Sequence, residues 1–344
     1  MKSYVEKMIK SRYLSISLFV LFALAFPLFF ASSHYAMNVM IIIFLHGIVA
    51  LGLCLMIGFT GQISIAQAAF YGIGGYTSAI LSTSYGLSPW LALLIGCVLC
   101  AIIAIAIGIP TIKLEENYLV LATLGFGIIV YIFFVELKQL TGGHSGLTGI
   151  PKLSIGGFSF DSELKYYYLV VIVALLLLLF ASSLVRARVG RALRAIRGSQ
   201  LAAESLGINS TVFKVKVFVM SAVYASIAGS LYVHYVSFIS PSPFYVTASI
   251  NFAIMAVVGG MTNIWGGFLG AAIFTLLGEV MREVVPMFIP RAGGEYELIF
   301  FGVILIATMI FMPQGLAVAI RNRWIKWTSS MIPQTEKEER GSYI

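Results

Sequence analysis

Few residues of this 344-residue chain have the type and spacing that chemistry needs. Cys97 and Cys100 form a C-x-x-C, the spacing of a redox pair or half a zinc site. Both lie in an uninterrupted apolar run with no histidine nearby, so they read as small packing residues, as does Cys54. His46 and His234 lie inside apolar runs, where an ionisable group is a functional candidate by default. A neutral ring hydrogen-bonded between helices accounts for them better. His34 falls at the outer end of a hairpin, and Glu115 and Glu116 share a turn with Lys113, so these read as solvated. Glu279, Arg282 and Glu283 stand at i, i+3 and i+4 and pair with one another. The sequence has no G-x-x-x-x-G-K-[ST] phosphate loop and no H-E-x-x-H. No catalytic residue, metal ligand or cofactor is assigned, and the energy for any uphill transport has to come from elsewhere.

What remains is a pair of polar breaks. The first is Gly58-Phe-Thr-Gly-Gln-Ile-Ser-Ile-Ala-Gln67, with Gly72, Gly74 and Gly75 behind it. The second is Gly259-Gly-Met-Thr-Asn-Ile-Trp-Gly-Gly267, with Gly270 behind it. In each, an apolar run ends in glycines with hydroxyl and amide side chains, and a small-residue run then resumes. Irregular backbone inside a membrane is tolerated only within protein or beside a watery cavity. Paired breaks in two halves of a transporter point to its path. The candidate path residues are Thr60, Gln62, Ser64, Gln67, Thr262 and Asn263. Close packing through small residues would explain the glycines but not these side chains.

The elements that hold these breaks are membrane helices. The chain is 60% hydrophobic and 10% charged, with a mean hydropathy of +0.97, where a soluble domain is about a quarter charged. Its net charge of +8 sits in clusters flanking apolar runs, which excludes a nucleic-acid surface and fits the positive-inside pattern. Candidate spans are 13–31, 37–58, 69–84, 88–110, 117–136, 166–185, 214–236, 247–260, 265–285 and 297–312. The expected fold is an all-α polytopic bundle of about ten membrane segments with both ends in the cytoplasm. The segments 69–84 and 247–260 are weak enough to be re-entrant. One permease domain fills 1–320, with a cytoplasmic loop at 186–213, and 321–344 is a cytoplasmic tail. Arg186, Arg188, Arg191, Arg194 and Arg197 place that loop outside the hydrocarbon.

Several motifs in a fixed order then carry a resemblance. They are Gly61-Gln-Ile-Ser-Ile-Ala-Gln-Ala-Ala-Phe-Tyr-Gly-Ile-Gly-Gly-Tyr76, Leu119-Val-Leu-Ala-Thr-Leu-Gly-Phe126 and Thr141-Gly-Gly-His-Ser-Gly-Leu-Thr-Gly-Ile-Pro151. Further on come Gly190-Arg-Ala-Leu-Arg-Ala-Ile-Arg197, Ala202-Ala-Glu-Ser-Leu-Gly-Ile208 and Val258-Gly-Gly260. Across roughly 40–320 the chain resembles the LivM-type branched-chain amino acid permeases of bacterial ATP-binding cassette importers. Gly75, Ala66, Gly198, His144, Ser145, Thr262 and Gly267 depart from the usual pattern of that group. The resemblance implies an inner-membrane importer subunit working by alternating access. Its partners would be a second, homologous permease, two cytoplasmic ATP-binding subunits and a periplasmic or lipid-anchored binding protein. A urea or short-chain amide permease and a passive channel are the alternatives.

A permease without an ATP site must receive force through a cytoplasmic contact, and the loop at 186–213 is long enough to supply it. Ser199 reads as an N-cap and Gly207 as a stop around Gln200–Leu206, with Asn209 restarting the next helix. About two turns are too short to be stable alone, so docking on an ATPase is expected to order them. The coupling set is Arg194, Arg197, Leu201, Glu204 and Gly207. Contact with membrane lipid headgroups is the second reading of the arginines.

Overall fold

The computed structural model describes residues 21, 23–30, 33–111, 116–288 and 302–303. Its long helices are α1 (His34–Thr60), α2 (Gln67–Thr83), α3 (Pro89–Thr111) and α4 (Glu116–Glu136). A single turn, α5 (Lys138–Thr141), leads into short strands β1 (Leu147–Thr148), β2 (Ser154–Ile155) and β3 (Phe158–Ser159). Then come α6 (Glu163–Arg186), α7 (Arg188–Gly198), α8 (Gln200–Ser205) and α9 (Ser210–Val236). Strand β4 (Phe238–Ile239), α10 (Val246–Gly259) and α11 (Gly266–Phe288) complete the set.

Among the described residues five helices, α1, α3, α4, α6 and α9, are long and apolar enough to cross a bilayer, α4 over Tyr118–Glu136. They realise the spans read at 37–58, 88–110, 117–136, 166–185 and 214–236. The weak segments became α2 and α10, of 17 and 14 residues. At about 1.5 Å per residue they reach about 25 and 21 Å, short of a hydrocarbon core of about 30 Å. The segments at 13–31 and 297–312 fall mostly outside the described residues, and the tail at 321–344 wholly so.

Helix α1 is the axis of the bundle, buried along most of its length, whereas α3 and α4 bury only about a third. The apolar side chains that α3 and α4 leave uncovered, such as Leu94, Val98, Ile102, Ile129 and Phe133, have the composition of a lipid-facing surface. Helices α2 and α9 pack in parallel through a seam of small and polar residues. Gln67 Nε2 donates to Ser221 Oγ (3.0 Å), Ser230 Oγ donates to the Gly74 carbonyl (3.0 Å), and Ser78 Oγ lies 2.8 Å from His234 Nε2. His234 Nδ1 is 2.7 Å from the Pro151 carbonyl. A carbonyl only accepts, so Nδ1 carries the proton, and in the neutral ring Nε2 accepts from Ser78. His234 thus bridges α9 to α2 and to the loop at Pro151, as expected, whereas His46 Nδ1 has no hydrogen-bond partner among the described residues, against the same expectation.

The loop after α4 is fastened at several points. Strand β1 pairs antiparallel with β4, Leu147 opposite Ile239. Strands β2 and β3 form a hairpin whose turn, Gly156-Gly157, has positive φ at both residues. Trp90 Nε1 donates to the Ser154 carbonyl (2.7 Å), and Ile150 and Leu153 are buried beneath.

Candidate functional site

The first break begins where α1 ends. Gly61 takes a left-handed conformation (φ 75°), and its N–H closes on the Ile57 carbonyl. Residues 61–66 then turn back into the bundle. Their return can be measured, because Gln67 bonds to Ser221 and Ser221 also packs on Gly52 of α1. Gly52 lies eight residues before Thr60, about 12 Å along the axis. The break therefore lines the half of the bundle nearer the arginine-rich segment, with α2 starting near mid-depth.

Backbone polar groups of this stretch are met by side chains from other helices. Ile65 N–H donates to Thr123 Oγ1 of α4 (3.1 Å), and Ala68 N–H to Ser249 Oγ of α10 (2.9 Å). Ala66 N–H donates to Ser64 Oγ (3.2 Å). This is how non-helical chain persists at that depth.

Thr60, Gln62, Ser64 and Gln67 are all buried. The Thr60 hydroxyl donates to the Met56 carbonyl (2.6 Å) and lies 3.0 Å from Gln62 Oε1. One hydroxyl proton cannot serve both, so the opposite amide orientation, with Nε2 donating to Thr60 Oγ1, is equally satisfied. Either way Gln62 keeps a buried polar atom without a partner among the described residues, and Gln67 Oε1 has none. Buried polar groups are normally paired, and His46, Tyr71, Tyr76, Ser226 and Thr275 elsewhere in the bundle also carry atoms without a partner among the described residues. Gln67 also serves the α2–α9 seam.

The second break touches the first. A side chain on Gly58 would place its Cβ 1.9 Å from the Met261 carbonyl, so the end of α1 and the turn between α10 and α11 meet backbone to backbone. Thr262 is exposed. Asn263 Oδ1 accepts from Trp265 N–H (3.2 Å) and opens the first turn of α11. Asn263, Trp265, Ser182 and Arg186 border a crevice of about 130 Å³ that separates α6 from this turn. The six path candidates thus lie in one half of the bundle, four of them buried, with Gln67 near mid-depth and the Thr262–Asn263 pair at the surface.

The arginine-rich segment packs against that same end. Helix α7 buries Gly190, Leu193 and Ile196 and leaves Arg191, Arg194 and Arg197 exposed. Arg194 donates to the Val185 carbonyl (3.1 Å), and Arg197 donates to the Gly58 carbonyl at the end of α1. In α8, Ser199 caps through Ala202 N–H, as expected. Gly207 (φ 81°) terminates it: its N–H donates to the Glu204 carbonyl (2.9 Å), and Ile208 N–H donates to that of Ala203 (3.1 Å). Asn209 caps α9 through Val212 N–H. The Glu204 carboxylate accepts from Ser210 Oγ and from Gln200 Nε2 (3.0 Å), which holds it below the usual carboxylate range. Glu204 therefore ties α8 to α9. Leu201 is 82% exposed, and Leu206, which sequence reasoning left out, is 80% exposed.

The sequence model of the branched-chain amino acid transport system / permease component family matches residues 35–309. The chain is a member of that family. LivM of Escherichia coli (strain K12), a high-affinity branched-chain amino acid transport system permease protein, is 31% identical over 331 residues, 90% of this chain and 75% of that one. LivM of Salmonella typhimurium is 30% identical over the same coverage. BraD of Pseudomonas aeruginosa is 26% identical over 79% of this chain and 91% of its own. Among solved structures, PsaBC from Streptococcus pneumoniae in complex with Fab covers 85% of this chain and 97% of that one, with TM-score 0.44 at 15% identity. At that distance it adds nothing to the family assignment. This branched-chain permease also uses residues that the reading of its breaks did not single out. Thr123, Ser221 and Ser249 hold the first break. Their signal was a lone hydroxyl in an apolar run, which is common in membrane helices for other reasons.

Proposed function

We propose that the chain is the translocation subunit of an importer that carries branched-chain amino acids inward and is energised by separate ATP-binding subunits. Family membership supports the substrate class. The observation that carries the coupling is α8: a six-residue helix outside the apolar spans, closed at both ends, with Leu201 and Leu206 exposed. Two leucines held out in water at the arginine-rich end are an apolar contact waiting for a partner. In this reading that end is cytoplasmic, α7–α8 docks on an ATP-binding subunit, and a binding protein delivers the amino acid at the opposite face. A homologous second permease completes the path.

The breaks at Thr60–Gln67 and Thr262–Asn263 border the inner part of the path, and the unpaired amide atoms of Gln62 and Gln67 support this. The test is competition in proteoliposomes holding the whole complex. Unlabelled isoleucine and valine should displace labelled leucine, whereas urea and acetamide should not. Displacement by the amides alone would transfer the chain to the other substrate class.

A further inference from the structure

A push on α8 has to reach the polar breaks, and among the described residues a side-chain hydrogen bond offers a direct link. The last four carbonyls of a helix have no partner within it. In α1, the Gly61 N–H takes the Ile57 carbonyl (3.2 Å), and the Arg197 guanidinium takes that of Gly58. A cation at the negative end of a helix is favourable, so this contact has charge as well as geometry behind it. The same Gly58 abuts the Met261 carbonyl so closely that no side chain fits between them. Arg197 thus grips α1 at a point that cannot shift towards the Met261–Asn263 turn without displacing it. Two residues further on, Thr60 holds Gln62.

The neighbouring arginines do something else. Arg194 bonds within its own hairpin, to Val185 at the end of α6. Arg191 is exposed on the face away from buried Leu193 and Ile196. Only two residues separate Arg197 from the start of α8, with Leu201 just beyond.

We propose that Arg197 is a positioning residue that transmits displacement of α7–α8 to both polar breaks at once. This rests on the docking reading above. The test uses the complete complex, with ATP-binding subunits and binding protein, in proteoliposomes. Arg197→Gln is assayed as the assembled complex, with uptake and ATP hydrolysis measured on the same proteoliposomes. Its amino acid uptake per ATP hydrolysed should fall about tenfold, the size of one lost charge-assisted hydrogen bond. Arg197→Lys, which keeps the charge and a donor, should restore most of that ratio, and Arg191→Gln should not change it. A normal ratio in Arg197→Gln, or an equal fall in Arg191→Gln, overturns the proposal.

If Arg197→Gln does not assemble, spin labels at Ala195→Cys and Thr262→Cys decide instead. Their separation should stay constant as ATP is added, and independent movement of the two overturns the link. The leucine positions separate the two readings. Loss of assembly in Leu201→Asp together with a normal ratio in Arg197→Gln removes the link and leaves docking intact. Normal assembly in both Leu201→Asp and Leu206→Asp removes docking, and the link with it.

Discussion

The seam between α2 and α9 is specific enough to be broken by one methyl group. A Cβ on Gly229 of α9 would sit 1.8 Å from the Tyr71 carbonyl oxygen of α2. Carbon and oxygen in contact need about 3.3 Å, so Gly229→Ala must push the helices apart by about 1.5 Å. The Ser230–Gly74 and Ser78–His234 bonds, now 3.0 and 2.8 Å, would then exceed hydrogen-bonding distance. Overpacking plus two interhelical bonds at about 0.6 kcal/mol each gives a loss of about 2–4 kcal/mol. The assay is thermal denaturation in detergent, read by a thiol-reactive dye, since Cys54 and Cys100 are buried and become reactive only on unfolding. Gly125→Ala, at a helical glycine with no neighbour within 4 Å, is the matched control. Gly229→Ala should melt several degrees below both the wild type and that control. Co-melting of all three proteins would mean that the seam is loose and that the closeness of α2 and α9 is not what stabilises the bundle.

Other perturbations separate the remaining claims. Leu201→Asp and Leu206→Asp should each abolish co-purification of the ATP-binding subunits, as a pull-down would show. Gln62→Leu and Asn263→Leu should lower uptake while assembly and basal ATPase persist; wild-type uptake in both would return the breaks to a packing role. His234→Phe removes both bonds of the bridge, so hydrogen exchange at 149–155 should speed up, while exchange in α6 stays unchanged. The Glu204 carboxyl is held low, so its tie to Ser210 is complete above the ordinary glutamate value and is lost only as pH falls through the lower, folded one. Exchange in α8 should accordingly be the same at pH 7 and pH 5, relative to the intrinsic rate. With the native cysteines replaced, cysteines introduced at 190–200 should resist an impermeant reagent in intact cells, and those at 150–160 should react.

Much of this architecture is legible from the sequence because the bilayer demands long apolar runs. The limits of α1, α3, α4, α6 and α9 fall within a few residues of the hydropathy reading, and Ser199, Gly207 and Asn209 act at the ends of α8 and α9 as their types dictate. The site was legible only as two stretches. That the stretches touch depends on Gly58 meeting Met261 across the fold, and no local pattern encodes a contact that distant in sequence. Gln67 read as a path residue because it ends a polar stretch, yet it also faces Ser221 in the seam. Glu204 read as a charged anchor for a docking partner. Gln200 meets it one turn back within α8, and Ser210 reaches it only once α8 has folded back on α9. Leu206 was hidden because a leucine before a glycine stop looks like an ordinary helix end.

The central claim is that this chain moves branched-chain amino acids uphill on energy it receives from outside itself. The direct measurement is accumulation of labelled leucine in proteoliposomes containing the permease pair, the ATP-binding subunits and the binding protein. With ATP supplied on the side of the ATP-binding subunits, leucine should concentrate above the external level, and with a non-hydrolysable analogue it should not. Equilibration at the same rate with or without ATP, stopping at equal concentrations, would contradict the account and identify a passive channel.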